Sequence, residues 1–219
     1  MQTFKTSKAR ENILSRKRKS LGQEKVAMPF PEAEKETGKQ VYAGTGLSDE
    51  EAFAEAFIKL GGKFVFCDNE QQLLEGITNL YDTRGWTELF CAEERLMQVF
   101  QNNKINIVSP VDINDGTANA CITGCECLVA RTGSLIISSK QNMGRTSSVF
   151  YPVHIVVAYV NQVVGDIQQG LDHIKKKYGN DIPSMINLNT GPSRTADIEK
   201  TLVVGVHGPG EVFCFLVNA

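Results

Sequence analysis

Between residues 48 and 108 the sequence alternates helical and strand-like patterns, and that alternation limits the fold more than any other feature. Ser48 and Glu51 have the spacing of a capping box, and Phe53, Ala56, Phe57 and Leu60 follow as the apolar stripe of one helix. Gly61-Gly62 stops that helix, and 63–67 reads as a short buried strand. The pattern then repeats, with a helix over 70–81, a strand over 88–91, a helix over 93–100 and a strand over 105–108. Strands separated by helices point to an α/β fold, here a largely parallel central sheet with helices flanking both faces.

After Gly116 the strand-like runs come closer together, at 128–130, 135–138 and 154–160. One more helix is expected over 166–178, with Ile167, Leu171 and Ile174 on one face and Lys175, Lys176 and Lys177 at its end, where basic side chains complement the helix dipole. Ahead of the body, residues 5–20 read as a strongly charged helix with Ile13 and Leu14 among its few apolar anchors. Residues 22–46, which contain Gly22, Pro29, Pro31, Gly38, Gly44 and Gly46, read as an extended linker. The expected organisation is therefore a basic helical arm and linker over 1–46 and an α/β domain over 47–219.

Several function classes are disfavoured at this point. Apolar stretches such as 155–160 are too short to span a bilayer, and a charged rather than apolar N-terminus is no secretory signal, so a cytoplasmic protein is expected. The six cysteines, at 67, 91, 121, 125, 127 and 214, fall mostly inside apolar runs, as buried reduced thiols do. Cys121, Cys125 and Cys127 have the spacing C-x3-C-x-C with no fourth cysteine nearby, which is not an iron–sulfur pattern. In an extended chain Cys125 and Cys127 would share a face. Asp112, Asp115 and Glu126 lack the spacing of a calcium loop, and there is no Gly-rich dinucleotide fingerprint. Neither metal nor cofactor is expected. Residues 1–25 hold eight Lys/Arg against two Glu, so the rest of the chain carries a net charge of −8. The basic run from Arg16 to Lys19 has no interleaved aromatics, and it suits an acidic docking surface better than nucleic acid.

The residues with chemistry to offer collect toward the C-terminus. Gly191-Pro192 interrupts an apolar run over 185–188, and Ser193, Arg194, Thr195 and Asp197 follow at once. A second run, 202–206, ends on His207 ahead of Gly208-Pro209. Open α/β sheets hold ligands at strand ends. A helix beginning after Gly191-Pro192 would present free backbone N–H groups to an anion, and Arg194 can grip a carboxylate or phosphate through two parallel hydrogen bonds. The competing reading pairs Arg194 with Asp197 or Glu199 as a simple helix cap. His207 reads equally as a general acid or base and as a ring bonded to backbone in the Gly-Pro turn. His154 reads as a strand residue with a satisfied ring, and His173 as exposed. Thr132-Gly133-Ser134 reads as a tight turn whose small residues let a ligand approach the backbone. The expectation is that Ser193, Arg194, Thr132 and His207 converge on one anion-binding pocket.

Three ordered segments also carry a resemblance. The run from Thr190 to Glu199 followed by Gly205-Val-His-Gly-Pro209, the run from Ile122 to Ser134, and Gly144-Arg145 with Pro152-Val-His-Ile-Val156 resemble the motif blocks of the lactate utilization (LUD) domain family, in its single-domain LutC/YkgG type. Arg131 departs from the pattern, standing where many relatives carry Asp or Glu. The resemblance implies a fold similar to the sugar-phosphate isomerase and CoA-transferase (NagB/RpiA) group, and it adds Thr123 and Gly124 to the ligand-binding candidates beside Thr132, Gly133, Ser134, Gly191 and Pro192. By fold analogy alone, Glu126 would be a carboxylate nucleophile of the CoA-transferase kind. The resemblance implies a cofactor-less component of a cytoplasmic iron–sulfur system that carries L-lactate to pyruvate, with iron–sulfur partner proteins, a small anionic ligand and room for homo-oligomerisation. The alternative is a free-standing enzyme or a ligand-sensing module acting on a phosphorylated or CoA-linked carboxylate.

Overall fold

The computed structural model describes residues 8–23, 46–110, 118–141, 144–196 and 202–218. The chain divides into two compact units, Met1–Gly44 and Thr45–Ala219. In the first, the charged segment forms helix α1 (Lys8–Leu21), with Arg18 and Lys19 in its last turn. Most of the expected linker, 24–45, lies outside the described residues.

The second unit is built on six parallel strands: β1 (Lys63–Cys67), β2 (Leu89–Phe90), β3 (Val108–Ser109), β4 (Ala120–Thr123), β7 (Val153–Tyr159) and β12 (Glu211–Val217), in the spatial order β1-β12-β7-β4-β2-β3. Helices α2 (Asp49–Lys59), α3 (Glu70–Arg84) and α4 (Glu94–Asn102) fall where the apolar periodicity places them. The capping box of α2 is complete: Glu51 N–H donates to Ser48 Oγ at 3.3 Å, and Ser48 N–H donates to Glu51 Oε2 at 3.0 Å.

Residues on the two faces of the sheet alternate, as the pleat requires. Val153, Ile155 and Val157 of β7, with Phe213, Phe215 and Val217 of β12, pack against Leu73, Leu74 and Ile77 of α3 and Leu96 and Phe100 of α4. Val156 and Ala158, with Val212, Cys214 and Leu216, face the other way, toward Phe53 and Phe57 of α2. Helices do not cover that second face alone. Of the closely spaced strands expected after Gly116, the one over 154–160 is β7 of the first sheet, and the other two, β5 (Cys127–Val129) and β6 (Ser134–Ser138), form a second sheet with β8 (Val163–Val164) and β9 (Ile186–Asn189), in the order β8-β5-β6-β9. Its Leu128, Leu135 and Ile137 join the core formed with α2. Helix α6 (Ile167–Tyr178) packs Ile174 on the outer side of this sheet, against Cys127, Val129 and Ile136.

One expected element has the wrong type. No helix begins at Gly191-Pro192 among the described residues. Arg194–Ala196 is instead strand β10, paired antiparallel with β11 (Leu202–Val204). β-Branched Thr195 faces Val203 in this ladder, a pairing that suits a pleated strand. Ser193 N–H is already donated to Pro209 O at 2.9 Å, and Ser193 O accepts from Gly205 N–H at 3.0 Å. Those backbone groups are committed to the neighbouring turn and present no helix terminus to an anion.

Candidate functional site: a cleft under the second sheet

A cleft of about 250 Å³ opens at the amino ends of β7 and β12, on the face covered by the second sheet. Three pieces of chain close it. The short helix α5 (Ser147–Phe150) contributes Ser148 and Val149. The end of β9 and the turn after it contribute Leu188, Asn189, Thr190, Gly191, Pro192 and Ser193. The turn before β12 contributes His207, Gly208 and Pro209. His154 and Val212, direct neighbours in the β7–β12 ladder, line its inner wall. Gly191 takes φ of +78° and Gly205 +82°, left-handed conformations that suit glycine at these reversals. Gly210 N–H donates to Pro152 O at 2.9 Å and ties the His207 turn to the entry of β7.

Of the residues singled out from sequence, Gly191, Pro192, Ser193 and His207 meet in this cleft. Thr132 and Ser134 lie one link behind it: Ser134 Oγ is 2.8 Å from Thr132 Oγ1 and 2.9 Å from Thr190 Oγ1. Thr123 stands behind His154, its Oγ1 2.8 Å from the ring Nε2. Arg194 does not line the cleft. Its guanidinium donates to the carbonyl of Leu60, the C-cap of α2, where a cation complements the helix dipole. Thr195 is held in the β10–β11 ladder, and Asp197 lies outside the described residues.

Gly124 and Glu126 belong to a different place. Gly124 N–H donates to Glu93 Oε1 at 2.8 Å, beyond the carboxyl end of β4. The Glu126 side chain is fully buried, and three donors occupy its two oxygens: Ser138 Oγ at 2.5 Å and Tyr178 Oη at 2.8 Å on Oε1, and Lys177 Nζ at 2.8 Å on Oε2. Burial alone would raise its carboxyl, but the bonds from Lys177, Ser138 and Tyr178 outweigh that and hold it below the usual range. Such a carboxylate clamps α6 to the second sheet, with both oxygens engaged by protein donors and the side chain out of contact with solvent. Lys177 is thereby drawn into this clamp, beyond the dipole role read from the sequence. Replacing Glu126 by Gln is expected to cost about 2 kcal/mol in urea unfolding, because hydrogen bonds to a charged group are lost but the half-exposed Lys177 can rehydrate. A loss under about 0.5 kcal/mol would mean that the clamp contributes little.

The cysteines also separate. Cys121 packs with Phe90 and Tyr151, Cys125 with the α2 core, and Cys127 under α6. Cys125 and Cys127 therefore do not share a surface: the chain turns at Glu126 and β5 begins only at Cys127. Burial pushes the Cys91 and Cys127 thiols up to about 12 and raises those of Cys121, Cys125 and Cys214 as well, which keeps them protonated. Arg131 makes a two-pronged pair with Asp166, Nε to Oδ2 at 2.8 Å and Nη2 to Oδ1 at 3.1 Å, and so anchors the N-cap of α6.

Ser148, Asn189 and Thr190 line the cleft without being candidates from sequence, and His154, a strand residue by its sequence setting, lines it too. The signal for Ser148 was its place between Gly144-Arg145 and Pro152-Val-His154, inside one resemblance block. Nothing local distinguishes it from the adjacent Ser147.

The architecture is an α/β domain in which a small mixed sheet folds over one face of a parallel one. The chain belongs to the LUD domain family, which it matches over residues 50–217. It is similar to the lactate utilization protein C of Bacillus subtilis, with 38% identity over 103 residues that take in 46% of this chain and 43% of that protein. The lactate utilization protein C of Geobacillus thermodenitrificans shows 38% identity over 94 residues, 42% of this chain and 39% of that protein. The matches thus span less than half the length of these relatives. A crystal structure of a DUF162 family protein from Deinococcus radiodurans has the same fold, with a TM-score of 0.54 at 18% identity, covering 78% of this chain and 99% of that one. No helix among the described residues is long and apolar enough to cross a membrane.

Proposed function

We propose that this protein serves lactate utilization as a cofactor-less component of a cytoplasmic iron–sulfur system, and that its cleft holds a small anionic ligand. The names of the relatives support the lactate utilization role, and the iron–sulfur setting is what the motif resemblance implies. The observation that carries the second part is the lining: hydroxyl, amide and imidazole groups from Asn189, Thr190, Ser193 and His207 converge there with Ser148 behind them, and no carboxylate stands among the described lining residues to repel an anion. Size favours a short acid. A cleft of about 250 Å³ is smaller than the roughly 300–1,000 Å³ that enclose drug-sized ligands, so a three-carbon acid fits where a CoA thioester would hang largely outside.

Calorimetric titration of the purified chain with L-lactate, pyruvate, inorganic phosphate and CoA tests this. Binding of the short acids is expected, weakened in His207→Ala and unchanged in Arg194→Ala, since Arg194 is engaged at the end of α2. Binding of phosphate or CoA alone would transfer the protein to the phosphorylated or CoA-linked reading. Equal weakening by Arg194→Ala would move the site away from this cleft.

A further inference from the structure

A second depression lies away from the cleft, between α2 and β1. It is a groove of about 530 Å³, with Ala54, Phe64, Phe66 and Val160 as its apolar lining and Glu50 and Glu51 as its acidic rim. No Lys or Arg stands among the described lining residues. Phe66 is 48% exposed, near the carboxyl end of β1, and β1 is an end strand of the parallel sheet. Natural proteins blunt end strands with charge, proline or a bulge, and from Phe64 to Cys67 this one carries neither charge nor proline.

The capping box accounts for Ser48 and Glu51, and the helix dipole favours acids in the first turn of α2, but neither explains an aromatic ring half left in water. The apolar track also runs on past the groove. Glu50, Ala54 and Ile58 recur at every fourth residue and share one face of α2, and Ile58, 55% exposed, carries that face one turn further. This stripe is about 12 Å long, with the small Ala54 at its middle to admit a neighbouring ridge. Such a track is the footing of a helix rather than of a small molecule. Its charge is one-sided: α2 holds Asp49, Glu50, Glu51 and Glu55 against Lys59 alone, and Glu50 has no ion-pair partner among the described residues.

We propose that this groove docks a helix of a partner protein, one whose apolar face is flanked by Lys or Arg. Its apolar side chains cover Phe66, Ala54 and Ile58, and its cations meet Glu50 and Glu51. Charge complementarity selects the partner, because an acidic or neutral helix would cover those carboxylates without pairing them. The groove shares no described lining residue with the cleft, and docking there is independent of the small-anion reading.

The probe is a synthetic helix with leucine along one face and lysine along the other, compared with the same helix in which glutamate replaces lysine. Binding to the full chain is measured by fluorescence anisotropy for wild type, Phe66→Ser, Ile58→Ser and Glu50→Lys. The lysine helix is expected to bind wild type about tenfold more tightly than the glutamate helix, or better. Phe66→Ser and Ile58→Ser are each expected to weaken the lysine helix by roughly three- to tenfold, as apolar contact leaves the interface. Both side chains are exposed, so both variants are expected to melt near the wild-type temperature. Glu50→Lys is expected to weaken the lysine helix and to strengthen the glutamate one. If Phe66→Ser and Ile58→Ser bind the lysine helix as wild type does, the helix is drawn to the acidic body as a whole and the proposal is overturned. Equal binding of the two helices, or binding of neither, overturns the choice of a basic partner. Self-association of wild type that Phe66→Ser abolishes would give the groove to a second copy of this chain, and that overturns it as well.

Discussion

Gly133→Ala is expected to destabilise the protein by about 3 kcal/mol or more, lowering the melting temperature by about 6–12 °C for a domain of this size. Gly133 has φ of +59°, where an L side chain is strained by roughly 1–2 kcal/mol. A Cβ there would also stand 2.5 Å from the backbone nitrogen of Phe57 and 2.7 Å from the carbonyl carbon of Ala56. Those atoms belong to α2, so no side-chain rotation relieves the clash, and the helix has to move off the turn between β5 and β6. Phe53 and Phe57, both fully buried, would lose packing as it moved. The Thr-Gly of this family block is explained here by the close approach of α2, with Thr132 held to Ser134 behind the cleft. Thermal melts of wild type and variant decide the matter. A variant that melts within about 1 °C of wild type but fails to bind the short acids would return Gly133 to the ligand site.

Lowering the pH from 7 to 4 is expected to remove about 3 kcal/mol of stability through His154 alone. The imidazole titrates near 6.5 in an unfolded chain and at about 4 in the folded protein, where burial disfavours its charged form. Between those values the unfolded state binds more protons than the folded one, so stability rises with pH across 4 to 6.5 and falls as the pH is lowered through that window. Below about 4 both states are protonated and the loss stops. Glu126 and Glu211, held below their ordinary values, begin to lose their stabilising contribution as the pH falls through the ordinary carboxylate range, and for Glu211 the loss continues down to about 2. Glu93, raised by burial, acts in the opposite sense. The informative measurement is therefore the difference between wild type and His154→Gln in urea unfolding at pH 7 and pH 4. The variant should lack the extra loss near 3 kcal/mol, and parallel pH profiles would show that His154 is readily protonated in the folded state.

The resemblance blocks contain two kinds of residue that look alike in the sequence. Gly191, Ser193 and His207 line the cleft, while Gly133 and Arg194 support α2 from two separate segments of the chain. Both kinds occur as Gly/Pro interruptions with polar neighbours, because a tight turn beneath a helix and a tight turn around a ligand make the same demand on the backbone. Glu126 illustrates the same limit. Its position after Thr123-Gly124 is compatible with a reactive carboxylate, and only the approach of Lys177 and Tyr178 from α6 shows both of its oxygens to be engaged.

What the sequence determined by itself is local. The capping box at Ser48 and Glu51, the 3.6-residue stripe of α2, the alternation of helix and strand up to β3 and the apolar settings of the cysteines follow from spacings of a few residues, and they suffice for an α/β sheet. The tertiary structure decided which turns meet. The last strand, β12, inserts between β1 and β7, and this brings the His207 turn to the amino end of β7 and against the turn that follows β9. That placement depends on pairing between Glu211–Val217 and strands far away in sequence, each of which satisfies its own periodicity equally well beside other neighbours. It also depends on the second sheet folding over the first, which buries Ser148 and His154 while Arg194 turns away to Leu60. Short-range pattern specifies a strand and its faces but not the strand beside it, and for that reason the class of fold was legible in the residues while the membership of the cleft was not.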